Sequence, residues 1–310
     1  MPNRSQVLEE VLQGLMDRYT QRVSDVGRVI EILRQHQLVD SLASVENDHI
    51  AFRTMGVPHL GIASLEKVFL HYGYQRRDAY HFAHKKLDAY WYAPPEPRFP
   101  RVFISELRVG ELSPAVQHTI HVYTNQVAQD PVDSIDLDNS QQVDEFLHTP
   151  LWRCPTWQDY QQLSAESEYA AWVIYNRYYL NHFTISVHNL PAPYNTIEAF
   201  NSLVQSHGIQ LNDAGGIAKR SPDGLLIQSS TVAAMVAAEF SDGQGGIIEQ
   251  HIPGSYVEFA ERRVLPQFSS LPAGEIRREH RRDGFEASNA DKIFESTFST
   301  QTQRGTEPGM

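Results

Sequence analysis

A run of segments that occurs twice is what most limits the folds open to this chain. Asp48-His49-Ile50-Ala51-Phe52-Arg53-Thr54 alternates polar and apolar side chains, as a strand with one buried face does. Ser64 then offers an N-cap before Leu65, Val68, Phe69 and Tyr72, a helix expected to end near Gly73. Three strand-like runs follow, Tyr74–Phe82, Leu87–Tyr92 and Arg101–Val109, with Pro94-Pro95 and Pro100 as punctuation. The order is β-α-β-β-β. Further on it returns. Asn181–His188 reads as a strand, and Thr196 caps a helix through Ile197, Phe200, Leu203 and Val204 that ends at Gly208. Ile209–Leu211, Gly224–Ser230, Val232–Phe240 and Ser255–Arg262 supply strands, two of them suited to the arms of a hairpin.

The two passages match in detail as well as in order. Asp48-His49-Ile50 opens the first as Asn181-His182-Phe183 opens the second, and Ser64-Leu65-Glu66 parallels Thr196-Ile197-Glu198. Each last strand holds a carboxylate in an apolar run, Ile104-Ser105-Glu106-Leu107 and Tyr256-Val257-Glu258-Phe259. A repeat on this scale is a topology signal. It predicts an α+β fold in which two βαβββ half-modules form a curved sheet or barrel around a shared cavity. The 310 residues divide into N-terminal helices (1–45), a first module (46–110), a helical insertion (111–180), a second module (181–263) and a C-terminal extension (264–310) whose role the sequence does not give. In 1–45, Val7, Leu8, Val11, Leu12, Leu15 and Tyr19, then Val26, Val29, Ile30 and Leu33, recur at helical spacing.

A chain of this size buries enough apolar surface to need no disulfide or structural zinc. The single cysteine, Cys154, fits a reducing compartment, and a cytoplasmic location is expected. Met1–Arg22 lacks the apolar core of a secretory signal, and no apolar run is long enough for a membrane helix. A net charge of −12 argues against a nucleic-acid partner. Arg277, Arg278, Arg281 and Arg282 alternate with Glu275, Glu279 and Asp283 and are expected on a solvated, ion-paired helix face. Oligomeric state is left open.

The curved frame turns the first and last strands of each module toward the cavity, so His49, His182, Glu258 and Glu106 are read as four equivalent inward positions. Two imidazoles and one carboxylate make the facial set that leaves three positions open on ferrous iron, two for a 2-oxo acid and one for O2. Each residue has a plainer reading. A strand histidine is more often a half-buried polar residue than a ligand, and His188 competes with His182 because alternation puts both on one face. Buried Glu258 could be relieved by a metal or by an ion pair with Arg262; Glu249 and Glu106 are the positions to check if it fails. Arg53 lies four residues after His49 and shares its face, as a clamp for a substrate carboxylate or as part of a structural ion pair. His81, His84, Lys85 and Lys86 suit a solvated turn better than a pocket mouth. Gly215-Gly216 and Gly245-Gly246 lack the context of a phosphate loop, and Cys154 has no paired base.

At these residues the chain resembles the 2-oxoadipate dioxygenase/decarboxylase family. The resemblance lies in His49–Thr54, Lys85–Tyr92, Arg101–Leu107, Asn181–Thr184, Pro253–Phe259, Gly284-Phe285 and Ala290–Thr297, within residues 45 to 298. It implies a vicinal-oxygen-chelate-like fold, Fe(II) held by His49, His182 and Glu258, and Arg53 as a substrate contact with a catalytic role. The reaction implied converts 2-oxoadipate and O2 to 2-hydroxyglutarate and CO2, a step of lysine catabolism. Two other readings stand beside it. One is a metal-dependent isomerase or lyase on the same frame, with Glu106 as fourth ligand or base. The other is a non-catalytic small-molecule binding protein.

Overall fold

The repeat is present as two four-stranded halves joined edge to edge. The structure is a computed structural model and describes residues 3–303; residues 1, 2 and 304–310, including the end of the expected extension, lie outside the described residues. Helices α1 (Arg4–Arg22) and α2 (Ser24–Gln35) lead into strand β1 (Asn47–Met55), helix α3 (Ile62–His71) and strands β2 (Gln75–Phe82), β3 (Leu87–Ala93) and β4 (Arg101–Leu107). Helices α4 (Pro114–Thr124), α5 (Ser140–His148), α6 (Trp157–Glu166) and α7 (Glu168–Asn176) form the insertion. The second half is β5 (His182–Ser186), α8 (Ile197–Ser206), β6 (Lys219–Arg220), β7 (Leu226–Ser230) and β10 (Tyr256–Arg262). A hairpin, β8 (Met235–Ser241) and β9 (Ile247–Pro253), interrupts it before the last strand, and α9 (Ala287–Ile293) follows.

The eight-stranded sheet runs β2-β3-β4-β1-β5-β10-β7-β6, so each half repeats the other outward from the antiparallel β1–β5 seam. In each half the first and last strands pair in parallel, with His49 opposite Arg101 and His182 opposite Tyr256. These central strands are buried along nearly their whole length, as strands covered on both faces are. That register corrects one expectation. Two residues past Arg101 is Phe103, and two past Tyr256 is Glu258, so the counterpart of Glu258 is Phe103. Glu106 corresponds instead to Glu261. Both carboxylates serve a helix start: Glu106 Oε2 accepts from Ile62 N–H and Glu261 Oε2 from Ile197 N–H, each at 2.8 Å and each in its own module.

Other boundaries also move. Helix α3 starts at Ile62 behind Gly61 (φ +81°), and Ser64 sits in its first turn, bonded to Asp130. A Cβ on Gly61 would lie 2.6 Å from Glu106 Oε2, so glycine is needed for the approach as well as for the φ angle. Ile209–Leu211 contributes a single bridge, Leu211 to Thr231, and β9 was not expected at all. The β8–β9 hairpin stands apart from the main sheet, anchored by Phe240 among Trp157, Tyr160 and Tyr175. The arginine cluster is not helical: a 3-10 turn at Arg278–His280 sits in otherwise irregular chain. At the N-terminus, α1 docks by a bidentate Arg18–Asp144 pair and by Tyr19, whose hydroxyl donates to the Tyr256 carbonyl oxygen.

Candidate metal centre

The antiparallel seam sets two imidazoles side by side. His49 Nε2 and His182 Nε2 are 3.4 Å apart, and Glu258 on neighbouring β10 completes the group. Its Oε1 is 3.4 Å from His49 Nε2, and its Oε2 is 3.1 Å from His182 Nε2. Three donors each about 2.1 Å from one centre, at right angles, stand about 3 Å apart. The observed spacings fit that arrangement. Among the described residues this is the one group of three His, Cys, Asp or Glu side chains whose donor atoms lie close enough to hold a metal ion, and all three are buried.

The outer nitrogens are held. His49 Nδ1 is 2.8 Å from Asp48 Oδ1, and His182 Nδ1 is 3.1 Å from Asn181 Oδ1. A ring nitrogen committed to an oxygen acceptor carries the proton and leaves Nε2 as a lone pair facing the centre. Asp48 is in turn clamped by Arg262 (2.6 and 2.9 Å) and approached by Arg101 at 3.4 Å. Arg262 therefore serves Asp48, and the alternative of an Arg262–Glu258 pair is not what forms. Burial penalises the Asp48 charge, yet the two guanidiniums outweigh it and hold its pKa well below the usual range.

The two imidazoles differ for the same reason. Burial pushes both down. At His49 the Glu258 charge and the Asp48 and Glu258 hydrogen bonds reverse this, and the net shift is upward. At His182 the partner is a neutral amide, burial prevails and the net shift is downward. Glu258 itself is disfavoured as an anion by burial but is drawn down to about 2 by the two imidazoles. Gln228 Nε2 also donates to Glu258 Oε1 at 2.6 Å, and Asn289 Nδ2 fixes Gln228 Oε1 at 3.0 Å.

The centre opens into a narrow pocket whose free space, about 20 Å³, holds little more than one water. His49, Phe103 and Arg53 line it from the first half, His182, Gln228 and Tyr256 from the second, and Phe285, Ile293 and Phe294 from the C-terminal segment. Arg53 is buried, with Nη1 on Thr297 Oγ1 (2.9 Å) and Nη2 on the Phe294 carbonyl (3.0 Å). Tyr169 and Trp172 of α7 lie against its guanidinium, each ring centroid 5.2 Å away. Among the described residues no carboxylate forms an ion pair with Arg53, so the structural ion pair does not form. Among the described residues, three buried donors without a hydrogen-bond partner line this one pocket: Arg53 Nε, Asn181 Nδ2 and the Tyr256 hydroxyl. Buried donors are normally satisfied, and three orphans around one space are what a ligand rich in oxygen acceptors would pair.

The remaining sequence candidates lie elsewhere. Glu106 caps α3. His188 is in a 3-10 turn beyond the end of β5, where its Nδ1 accepts from Arg262 N–H at 3.2 Å. Glu249 is on β9, in the separate hairpin. Lys85 pairs with Asp291 and Glu295 at 3.0 Å and so ties the β2–β3 turn to the segment that closes the pocket. Asn181, Gln228, Tyr256 and Phe285 were not singled out from the sequence as site residues. Asn181 carries a repeat signal, since it precedes His182 as Asp48 precedes His49, and Tyr256 and Phe285 stand in the stretches Pro253–Phe259 and Gly284-Phe285 that resemble the family.

Comparison with known proteins places the chain. The profile of a family described as 2-oxoadipate dioxygenase/decarboxylase matches residues 11–272. A protein of Arabidopsis thaliana named 2-oxoadipate dioxygenase/decarboxylase, chloroplastic, is 46% identical over 270 residues, covering 84% of this chain and 70% of its own. The crystal structure of hydroxyglutarate synthase from Oryza sativa in complex with 2-oxoadipate superposes with a TM-score of 0.88 at 41% identity, covering 98% of this chain and 96% of that one. A glyoxalase-superfamily protein of Ralstonia eutropha JMP134 shares the fold at 18% identity, with a TM-score of 0.71 over 92% of this chain and 87% of its own.

Proposed function

The chain belongs to the 2-oxoadipate dioxygenase/decarboxylase family, and on that basis we propose that it is an Fe(II)-dependent enzyme converting 2-oxoadipate and O2 to 2-hydroxyglutarate and CO2. The carrying observation is the pocket that joins a three-donor centre to Arg53, a buried cation with no carboxylate partner among the described residues. An uncompensated buried guanidinium is costly, and a substrate carboxylate removes the cost. The rice relative supports the substrate, since its structure holds 2-oxoadipate.

His49, His182 and Glu258 would hold the metal, with Asp48 and Asn181 keeping both Nε2 atoms free of protons. Bound there, ferrous iron would supply a Lewis acid for the 2-oxo acid and electrons for O2. Arg53 holds the distal carboxylate and so fixes the reacting end of the acid at the centre. Asn181 Nδ2 and the Tyr256 hydroxyl donate to substrate oxygens. Phe103, Phe285 and Phe294 exclude water from the reacting atoms. With so little free space, substrate entry requires the Phe285–Phe294 wall to move. No helix among the described residues is long and apolar enough to cross a membrane. The lone Cys154 supports a cytosolic setting, whereas the Arabidopsis relative is named chloroplastic; cell fractionation decides this.

The isomerase or lyase reading needs Glu106 as a fourth ligand or base, and Glu106 is engaged at the start of α3 and does not line the pocket. The test is oxygen uptake by protein loaded anaerobically with ferrous iron, over a panel of 2-oxo acids. We expect one CO2 released per O2 consumed, fastest with 2-oxoadipate. No uptake with any 2-oxo acid would overturn the proposal.

A further inference from the structure

Arg277, Arg278, Arg281 and Arg282 do not form the ion-paired face that their sequence suggests. Of the four, Arg282 pairs with Asp223 and Glu286, while among the described residues the other three make no ion pair. Arg281 Nη1 donates to the Arg262 carbonyl, and Arg278 Nη1 to the carbonyls of Pro97 and Phe99. Among the described residues, Arg278 Nη2 is buried and has no hydrogen-bond partner. These three arginines converge with Arg101 and Arg262 on one cavity of about 450 Å³. Five guanidiniums there face two carboxylates, Glu46 and Asp48, on a chain whose net charge is −12. Asp48 is committed to Arg262, Arg101 and His49; Glu46 is committed to Ser186 and Asn189. Asp283 and Glu261 lie just outside, on Arg101 and Arg263. The bonds to Ser186 and Asn189 leave the Glu46 charge in place, and it and Glu261 act on Arg281, so among the described residues two guanidiniums of this shared space, Arg277 and Arg278, face no carboxylate of their own.

We propose that this cavity is a second binding site, for a small multivalent oxyanion of the phosphate or dicarboxylate class. Guanidinium forks match such oxygens in geometry and charge, and the cavity is of a size for a small molecule. It shares no lining residue with the metal pocket, and the Asp48–Arg262–Arg101 ion pairs form its inner wall. An anion there touches the same guanidiniums that hold the His49 partner. The site stands independently of the proposed reaction, since none of its arginines enters the chemistry.

The test is anaerobic calorimetric titration of the full, iron-loaded chain with inorganic phosphate, and of its Arg53→Ala form with glutarate, so that Arg53 contributes nothing in the second arm. We expect one salt-sensitive site per chain for at least one probe, and the tighter probe identifies the source. Arg278→Gln with Arg281→Gln should weaken that probe tenfold or more, and His182→Ala should leave it unchanged. If the double variant misfolds by circular dichroism, Arg277→Gln, at an exposed side chain, should still weaken the probe severalfold. Absence of binding for both probes, binding that survives the arginine substitutions, or binding lost with His182→Ala would overturn the proposal.

Discussion

The two halves of the sheet share strand order, parallel first-to-last pairing and a carboxylate at the start of the helix, yet they furnish the centre unequally. Each first strand gives one imidazole. Only the second half's last strand gives a carboxylate; its counterpart in the first half is Phe103. The first half alone gives Arg53, where the second has Ser186. The frame thus offers four inward positions around the seam, three donors and one phenyl ring. That imbalance is what converts a symmetric scaffold into a three-donor centre with an open side, the side on which the proposed function would bring substrate and O2 to a metal. The outer partners differ too, a charged Asp48 behind His49 and a neutral Asn181 behind His182, and the opposite pKa directions of the two imidazoles follow from that.

Filling the open side should do the most damage. Phe103→Glu would place a carboxylate at the fourth position. Iron should be retained while O2 uptake falls about 10²-fold or more, because an open coordination position is lost. Full uptake in this variant would break the proposed equivalence of the two last strands. Next is Arg53→Ala, expected to raise KM for 2-oxoadipate by roughly 30- to 100-fold, the cost of losing one partner of a buried charge pair. A 2-oxo acid without the distal carboxylate should hardly notice the change. Equal loss for both acids would assign Arg53 a structural role.

Making the outer partners alike tests the finer asymmetry. Asp48→Asn should cost about 10- to 100-fold in iron affinity, as substitution behind a metal-bound histidine does. It also leaves Arg262 without its carboxylate, while Arg101 keeps Asp283, so thermal stability should fall with it. If affinity is unchanged in folded protein, the difference between the halves has no bearing on the metal.

The smallest effect concerns Lys219, a buried cation of the second half away from the Asp48–Arg262 pair. Lys219 Nζ sits on the Asn212 carbonyl oxygen at 2.6 Å, and burial lowers its pKa to about 8 from 10.5. Its protonated form is disfavoured in the fold, so the penalty is full below pH 8 and is relieved as pH rises from 8 toward 10.5. Between pH 7.5 and 9.5 the wild type should gain about 1–2 kcal/mol of stability relative to Lys219→Met, measured by urea unfolding. KM for 2-oxoadipate should not change. Unlike Arg53, this cation does not line the metal pocket.

Much of this was legible in the sequence because side-chain alternation and repeated order are local signals. They gave the two modules, both first strands and the two histidines standing at one point of the repeat. Glu106 was misread because Ile-Ser-Glu-Leu and Val-Glu-Phe both place a carboxylate in an apolar run, and a three-residue offset between them shows only in the hydrogen-bonded register. His188 was misread because alternation continues past Ser186 although the chain has turned into a 3-10 helix. The hairpin strand Ile247–Pro253 is largely exposed and lacks a buried face to mark it. The wall at Phe285–Phe294 and the Asn289–Gln228–Glu258 chain are contacts between distant segments, which no local pattern encodes.

The most direct test of the central claim is the iron content of anaerobically loaded, desalted protein. One ferrous ion should remain per chain in the wild type and in Glu106→Gln and His188→Ala. His182→Ala and Glu258→Ala should retain almost none, since losing one of three protein ligands forfeits about 10³-fold or more in affinity. Iron retained in full by Glu258→Ala, or lost with Glu106→Gln in folded protein, would contradict a centre built from both first strands and only the second half's last strand.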